Sequence, residues 1–363
     1  MAISSLWIRD FRCFERSRFE PEPSGFTILR GLNGSGKTSV LEAIGWLATG
    51  RSIRGATRET LVRRGADRAI LRAETVFEDK QDLIEAEIPL ARAARTQLNR
   101  RTIRRHAEMA VALQVSVFSP ADRRLVEGGP VERRDYLDEV LVERSARLEA
   151  VTNEVEHVLR QRAALLRQSG GKLDTGILVT LDVWEQRLAA AGTELAVARE
   201  TLAEELEPLV SESYAHLAGH REHVTFTYRR SWNAELADAL RSAREQDVRR
   251  QVTTVGPHRD ELEIGLGLTS ARTHASQGEQ RCIALAMRLA THELRLRVAS
   301  EPPVLLLDDV FSELDPYRSA ALVERLPSGQ VLLTTAVDPP AAVGAHQVVE
   351  VAGSHLLAKV CEQ

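Results

Sequence analysis

The chain has 363 residues, 43% of them apolar and 28% charged, with 48 Lys and Arg against 52 Asp and Glu for a net charge of −4. That mixture excludes wholesale disorder, which needs few apolar residues and a large net charge, and the length allows two or three domains of about 100–200 residues each. A slightly acidic chain does not bind nucleic acid with its whole surface, so any such contact must use a local cationic patch.

The first predicted elements are strands at Ile3 to Ile8 and at Phe26 to Arg30, with alternating or continuous apolar residues. The second runs into Gly31-Leu32-Asn33-Gly34-Ser35-Gly36-Lys37-Thr38, a G-x4-G-K-[ST] match, and a helix is predicted over Ser39 to Leu47. Strand, loop and helix in that order are the context this phosphate loop requires; an ordinary glycine-rich turn does not need them. Its glycines let backbone N–H groups turn toward phosphate oxygens, and the helix N-terminus adds partial positive charge. Lys37 is expected at the β- and γ-phosphates of a nucleotide, and the Thr38 hydroxyl on Mg²⁺.

Further strands are predicted at Ala69 to Phe77 and at Val115 to Phe118, the latter stopped by Ser119-Pro120. Between them Arg92, Arg95, Arg100, Arg101, Arg104 and Arg105 crowd into fourteen residues, and pairs stand at Arg63-Arg64, Arg123-Arg124 and Arg133-Arg134. Such clusters suit phosphate contacts, which position a protein on DNA without reading sequence. The alternative for each is a solvated face paired with acids. Arg100, Arg101, Arg104 and Arg105 are the expected DNA contacts. Four Tyr and four Trp leave little aromatic surface for base stacking, so backbone or duplex recognition is expected.

From about 121 to 250 the texture is helical. Leu148, Val151, Val155, Val158 and Leu165 keep steps of three and four with Arg162 interrupting, and Leu181, Trp184, Leu188, Ala191, Leu195, Ala198 and Leu202 form a cleaner heptad seam. Gly170-Gly171 and Gly176 break the pattern between them, so the two segments are expected to fold back as an antiparallel pair, either as a protruding arm or inside a bundle.

After 250 the mixed texture returns. Ser276-Gln277-Gly278-Glu279 heads a helix through Leu285, Leu289 and Leu294; Ser276 and Glu279 have capping-box spacing, which leaves Gly278 unexplained. A very apolar strand at Val304 to Leu307 then delivers Asp308 and Asp309 at its C-terminal end, where ligands sit in open α/β sheets. Asp308 is the expected Mg²⁺ ligand and Asp309 the group that polarises an attacking water, although paired aspartates can also cap a helix. Ser312-Glu313-Leu314-Asp315-Pro316 forms a further turn, and another strand is predicted at Val331 to Thr334. The domains are therefore expected at 1–120, 121–250 and 251–363, with the middle one inserted between two halves of one α/β domain. Cys13, Cys282 and Cys361 share no metal-ligand spacing, and no signal-peptide pattern or apolar run of about 18 residues is present, so a cytoplasmic protein is expected.

Phosphate loop, helical insertion, serine–glycine turn, apolar strand ending in acids, then Ser-x-Leu-Asp resembles the layout of ABC-type ATPase heads. Ile8 to Arg12, Asn33 to Ala43, Phe118-Ser119-Pro120, Gly128-Gly129-Pro130, Arg133 to Asp138, Gly256-Pro257-His258-Arg259-Asp260 and Asp308 to Asp315 are most similar to the RecF family within the SMC/Rad50/RecF branch. The resemblance implies an α/β ATPase head with a mixed sheet, interrupted by a helical insertion. It implies ATP and Mg²⁺ as cofactors, with ATP contacts from Gly31, Leu32, Asn33, Gly34, Ser35, Gly36, Lys37, Thr38 and Arg12, metal contacts from Thr38 and Asp308, and catalysis by Asp309 and Lys37. Ser276, Gln277, Gly278 and Glu279 would serve as a signature turn facing ATP on the second copy of a homodimer, with Ser312 and Asp315 in the D-loop. The implied role is clamping DNA at gaps or single-strand/double-strand junctions in repair, replication restart and SOS induction, supporting RecA loading with RecO and RecR.

Three departures stand out. Thr334-Thr335 replaces the switch histidine, Asp309 replaces the usual glutamate, and Gln114 is the sole counterpart offered for the Mg²⁺-sensing glutamine; slow hydrolysis is expected. An SMC- or Rad50-like structural ATPase would need far longer coiled coil or a Cys-x-x-Cys hook, and the tip from Ser169 to Gly176 has no cysteine. A transporter ATPase subunit would keep the histidine, and a small-molecule kinase would leave the 276–280 turn unexplained.

Overall fold

Two six-stranded sheets enclose the helix that follows the phosphate loop. The computed structural model describes the whole chain except residues 79, 104–107, 110–111, 299–301, 327–328, 340–342, 354 and 361–363. The chain divides into two compact units, the first made of residues 1–122, 216–219 and 285–363 and the second of residues 123–215 and 220–284.

In the first unit, β1 (Ala2–Phe11), β2 (Phe14–Phe19), β4 (Arg68–Phe77), β5 (Lys80–Pro89), β6 (Arg95–Leu98) and β7 (Arg101–Ile103) form an antiparallel sheet in the order β2-β1-β4-β5-β6-β7. The other sheet has the order β15-β14-β3-β13-β12-β8, from β15 (His355–Val360), β14 (Ala345–Ala352), β3 (Gly25–Arg30), β13 (Gln330–Thr335), β12 (Val304–Asp308) and β8 (Val115–Phe118). Only the β14–β15 pair is antiparallel in it. Helix α1 (Lys37–Thr49) buries Val40, Leu41, Ala43, Ile44, Trp46 and Leu47, leaving it no polar face. Such a helix must be covered all round. One core cluster does so with Leu6, Ile8, Leu71 and Ile84 of the antiparallel sheet and Leu29, Leu306 and Leu332 of the other. Each fully buried Leu or Ile contributes about 1.5–3 kcal/mol.

The parallel register settles which residues meet. Asp308 pairs with Thr334, and Thr335 with Arg30, so the loop leaving β3 and the acids ending β12 arrive at the same sheet edge. Val304 pairs with Val115, which places Gln114 at the opposite edge, where its carbonyl accepts from Val304 N. Gln114 is therefore no counterpart of the metal-sensing glutamine.

The second unit is mostly helical: α2 (Pro130–Arg144), α3 (Ala146–Gln168), α4 (Thr175–Ala218, its end passing into the first unit) and α5 (Leu236–Arg250). An antiparallel sheet of β9 (Val224–Arg229), β10 (Glu261–Leu266) and β11 (Thr269–Ser270) joins them. Helix α6 (Gln277–Val298) begins in this unit and from Leu285 belongs to the first. Ion pairs Arg147–Glu194 and Arg187–Glu154 run antiparallel along α3 and α4. Leu166, Ile177, Leu181 and Val248 close the turn end against α5, so the pair is part of a bundle. Arg162, the interruption in the seam, has no exposure. It donates to Asp247 Oδ2 at 2.7 Å, Thr253 Oγ1 at 2.8 Å and Glu185 Oε1 at 3.1 Å.

Candidate functional site

The phosphate loop is built on backbone that only glycine adopts easily. Gly34 and Gly36 have φ of 82° and 108°, and a Cβ on Gly36 would stand 2.6 Å from Cys13 Sγ. The Lys37 ammonium folds back along the loop and donates to the carbonyls of Gly31 at 2.7 Å and Leu32 at 3.0 Å. As the first residues of α1, Lys37 and Thr38 have N–H groups with no intrahelical acceptor, which suits an anion.

The Thr38 hydroxyl donates to Asp308 Oδ1 at 2.7 Å, joining loop and acidic strand across 270 residues of sequence. Thr334 Oγ1 also donates to Asp308 Oδ1, at 2.8 Å, and accepts the N–H of Asp309 at 2.9 Å. Thr334 has no exposure and was not named as a site residue, although the resemblance sets Thr334-Thr335 where the switch histidine would stand; strand register, Asp308 opposite Thr334, puts it on the acid. Asp309 lies in the left-handed region with φ 50°, and its carbonyl accepts from Ser312 Oγ at 2.8 Å. One hydroxyl and one carboxylate converge at Thr38 and Asp308. That donor set suits Mg²⁺, which takes one or two protein oxygens and keeps waters and substrate phosphates for the rest. Among the described residues no group of three or more His, Cys, Asp or Glu forms a metal cluster.

Arg12 stands in the β1–β2 turn with φ 52°, its guanidinium forked on Glu42 of α1 at 2.7 and 2.8 Å. The residue after it, Cys13, touches Gly36, so Arg12 does lie beside the loop.

Ser276 and Glu279 cap each other in the second unit. Ser276 N donates to Glu279 Oε2 at 2.7 Å and Glu279 N donates to Ser276 Oγ at 3.3 Å. Ser276 and Gln277 are exposed and Gly278 half-buried. Asp315 caps α7 (Pro316–Arg325) by accepting from Arg318 N at 2.9 Å.

Gly256 to Asp260 holds the second unit together. Asp260 accepts from Tyr228 Oη at 2.7 Å and Ser231 N at 2.8 Å, and the Arg199 guanidinium donates to Pro257 O at 2.7 Å and forks on Asp138. His258 Nε2 donates to Thr253 O at 3.0 Å, and burial lowers its pKa to about 4, which keeps the ring neutral.

The arginine clusters divide. Arg133 is 4% exposed and forks on Glu261 at 2.8 and 3.0 Å, so it is a structural residue and not a phosphate contact. Arg92 donates to Glu87 and Arg95 to Thr102. Asn99 and Arg100, with φ of 49° and 68°, make the two-residue turn between β6 and β7, which exposes Arg100 and Arg101. Arg104 and Arg105 lie outside the described residues.

The family described as RecF/RecN/SMC N terminal domain matches residues 2–355. The DNA replication and repair protein RecF of Streptomyces avermitilis is 41% identical over 93% of this chain and 94% of its own. That of Frankia alni is 42% identical over 99% of this chain and all of its own. A solved structure of the recombination mediator protein RecF with ATP in the RecFOR pathway has a TM-score of 0.90 and 24% identity, covering 99% of this chain and 98% of its own; it shares the fold.

Proposed function

The chain belongs to the RecF family of DNA replication and repair proteins, and from that membership we propose an ATP-switched DNA clamp that acts in recombinational repair. The observation that carries the reading is the Thr38–Asp308 hydrogen bond, which joins a phosphate loop to an acidic strand end. In this reading the N–H groups of the loop and the Lys37 ammonium hold the nucleotide phosphates, and Thr38 and Asp308 hold Mg²⁺. The ion, when bound, neutralises phosphate charge. Thr334 orients the Asp308 carboxylate and the Asp309 backbone, and the Asp309 carboxylate takes a proton from water.

The signature turn, Ser276 to Glu279, presents an exposed serine and a helix start to the terminal phosphate on a second copy. ATP closes the homodimer because the γ-phosphate favours the closed state over the open one, and hydrolysis releases it. DNA is held by its backbone on the antiparallel sheet, where register puts Arg9, Arg16 and Arg18 on the face carrying Trp7 and the β6–β7 turn projects Arg100 and Arg101. RecO, RecR and RecA are the functional partners, and gaps or strand junctions the DNA targets, with SOS induction downstream.

The test is the solution mass with and without ATP of the wild type, Lys37→Ala and Ser276→Arg, followed by DNA binding on the same samples. ATP-dependent dimers with tighter DNA binding in the wild type alone support the clamp. A monomer that binds DNA equally well without ATP overturns it.

A further inference from the structure

Glu42 has no solvent exposure and sits on α1 just beyond the phosphate loop. Its carboxylate is fully engaged. Oε2 accepts from Arg12 Nε at 2.7 Å, while Oε1 accepts from Arg12 Nη2 at 2.8 Å and from Ser52 Oγ at 2.5 Å. Arg12 Nη1 donates to the carbonyl of Thr60 at 2.9 Å.

The backbone carrying Arg12 is held as firmly as its side chain. Arg12 N donates to Leu61 O at 2.7 Å and Arg63 N donates to Asp10 O at 2.8 Å, while Asp10 and Arg12 are both left-handed. Holding two such residues is unfavourable unless their surroundings over-determine them.

Burying a carboxylate carries a large desolvation cost, and apolar residues of similar volume would tie α1 to the hairpin without it. What an apolar contact cannot do is fix the plane of a guanidinium, which a bidentate fork does. Arg12 has five N–H bonds, three of which are committed to Glu42 and Thr60. Two remain, on a side chain that is 20% exposed and belongs to the residue before Cys13, whose sulfur faces Gly36 of the loop.

We propose that Glu42, braced by Ser52, is a positioning residue that holds Arg12 ready for the terminal phosphate of a nucleoside triphosphate. The assignment rests on the nucleotide reading above. Lys37 and a second copy's Ser276 also reach the terminal phosphate in that reading, so Glu42 governs the share of the difference between a triphosphate and a diphosphate that passes through Arg12.

Titration of ATP and ADP into the full chain tests this, with wild type, Glu42→Gln, Ser52→Ala, Arg12→Ala and the double variant Arg12→Ala/Glu42→Gln. Charge-assisted hydrogen bonds of this kind imply a loss of about tenfold in ATP affinity for Glu42→Gln, with ADP affinity within about twofold of wild type. The double variant should bind ATP no more weakly than Arg12→Ala alone, since Glu42 acts through the arginine. Ser52→Ala, which leaves no charge unpaired, should lose a smaller share of ATP affinity, and Ser52→Thr should restore it. If Glu42→Gln fails to fold, Ser52→Ala decides.

Equal losses of ATP and ADP affinity would make Glu42 a prop for α1 and overturn the proposal. Tighter ATP binding by Glu42→Gln would make it a restraint on Arg12, which also overturns it. A wild type that binds neither nucleotide would instead overturn the nucleotide reading.

Discussion

Thr334 and Asp308 are joined by a 2.8 Å hydrogen bond at adjacent positions of two parallel strands, and the same threonine oxygen accepts the N–H of Asp309. One hydroxyl thus meets the carboxylate of one acid and the backbone of the next. Thr334→Val keeps the shape and removes the hydroxyl that orients Asp308, while the N–H of Asp309 retains the carbonyl of residue 334 at 3.2 Å. It should lower single-turnover ATP hydrolysis by about 10- to 100-fold, as small misplacements of catalytic groups do. ATP affinity should hold within about threefold, since the loop contacts are intact. Thr334→Ser should recover most of the rate. A valine variant that hydrolyses ATP like wild type would remove Thr334 from the site.

Asp309→Asn keeps a residue type that tolerates left-handed backbone, so the fold should be unaffected. Without a proton acceptor, turnover should fall by about 100-fold or more. Size-exclusion chromatography with light scattering should show ATP-bound dimers that persist far longer than those of wild type. Rapid dissociation would argue that release does not wait for hydrolysis.

In the second unit, Arg162→Met leaves Asp247 a buried acid without its cation, while Glu185 keeps Arg244 at 2.6 Å. Removing one partner of a buried ionic group costs about 3–5 kcal/mol. Denaturant unfolding of that variant should show a loss of unfolding free energy of that size. Arg160→Met, from an exposed pair with Glu156, should change stability by less than about 0.5 kcal/mol.

Stability should fall on mild acidification. Burial lowers His258 and His292 from 6.5 to about 4. Between those values the unfolded chain binds protons that the folded chain does not, so this stability is complete above pH 6.5 and is lost as the pH drops toward 4. The slope approaches about 1.4 kcal/mol per pH unit for each histidine. Burial raises Asp135 and Asp260, which act in the opposite sense at the acid end of the range. Unfolding midpoints measured from pH 7.5 to 5 should decline, and His258→Gln and His292→Gln should each flatten the curve.

Local signals carried much of the site. Phe26 to Arg30, the glycine loop and the helix after it were legible because strand, turn and helix chemistry are all local; β3 ends at Arg30 and α1 starts at Lys37. Val115 to Phe118 was bounded correctly because Ser119-Pro120 stops it. The contributions of Thr334, Glu42 and Ser52 depend on which strand lies beside which and what faces α1, and neither follows from spacing. Gln114 went astray for the same reason, since sequence order does not reveal the sheet edge on which a strand begins. Arg162 was visible as a break in a heptad, but its partner Asp247 is 85 residues away. The helix seam was read to Leu202, whereas α4 runs to Ala218 through Pro208, because packing outweighs the lost N–H of one proline.

The left-handed backbone at Asp309 also bears on how this chain can change over generations. Aspartate and asparagine enter that region more readily than longer side chains, whose cost there is on the order of 1 kcal/mol. A single-step replacement of Asp309 by glutamate therefore meets a backbone shaped for the shorter acid. The tie from its N–H to Thr334 holds that shape in place. Because that N–H also reaches the Thr334 carbonyl at 3.2 Å, a bond that no substitution at 334 removes, a glutamate at 309 has to bear the backbone cost itself.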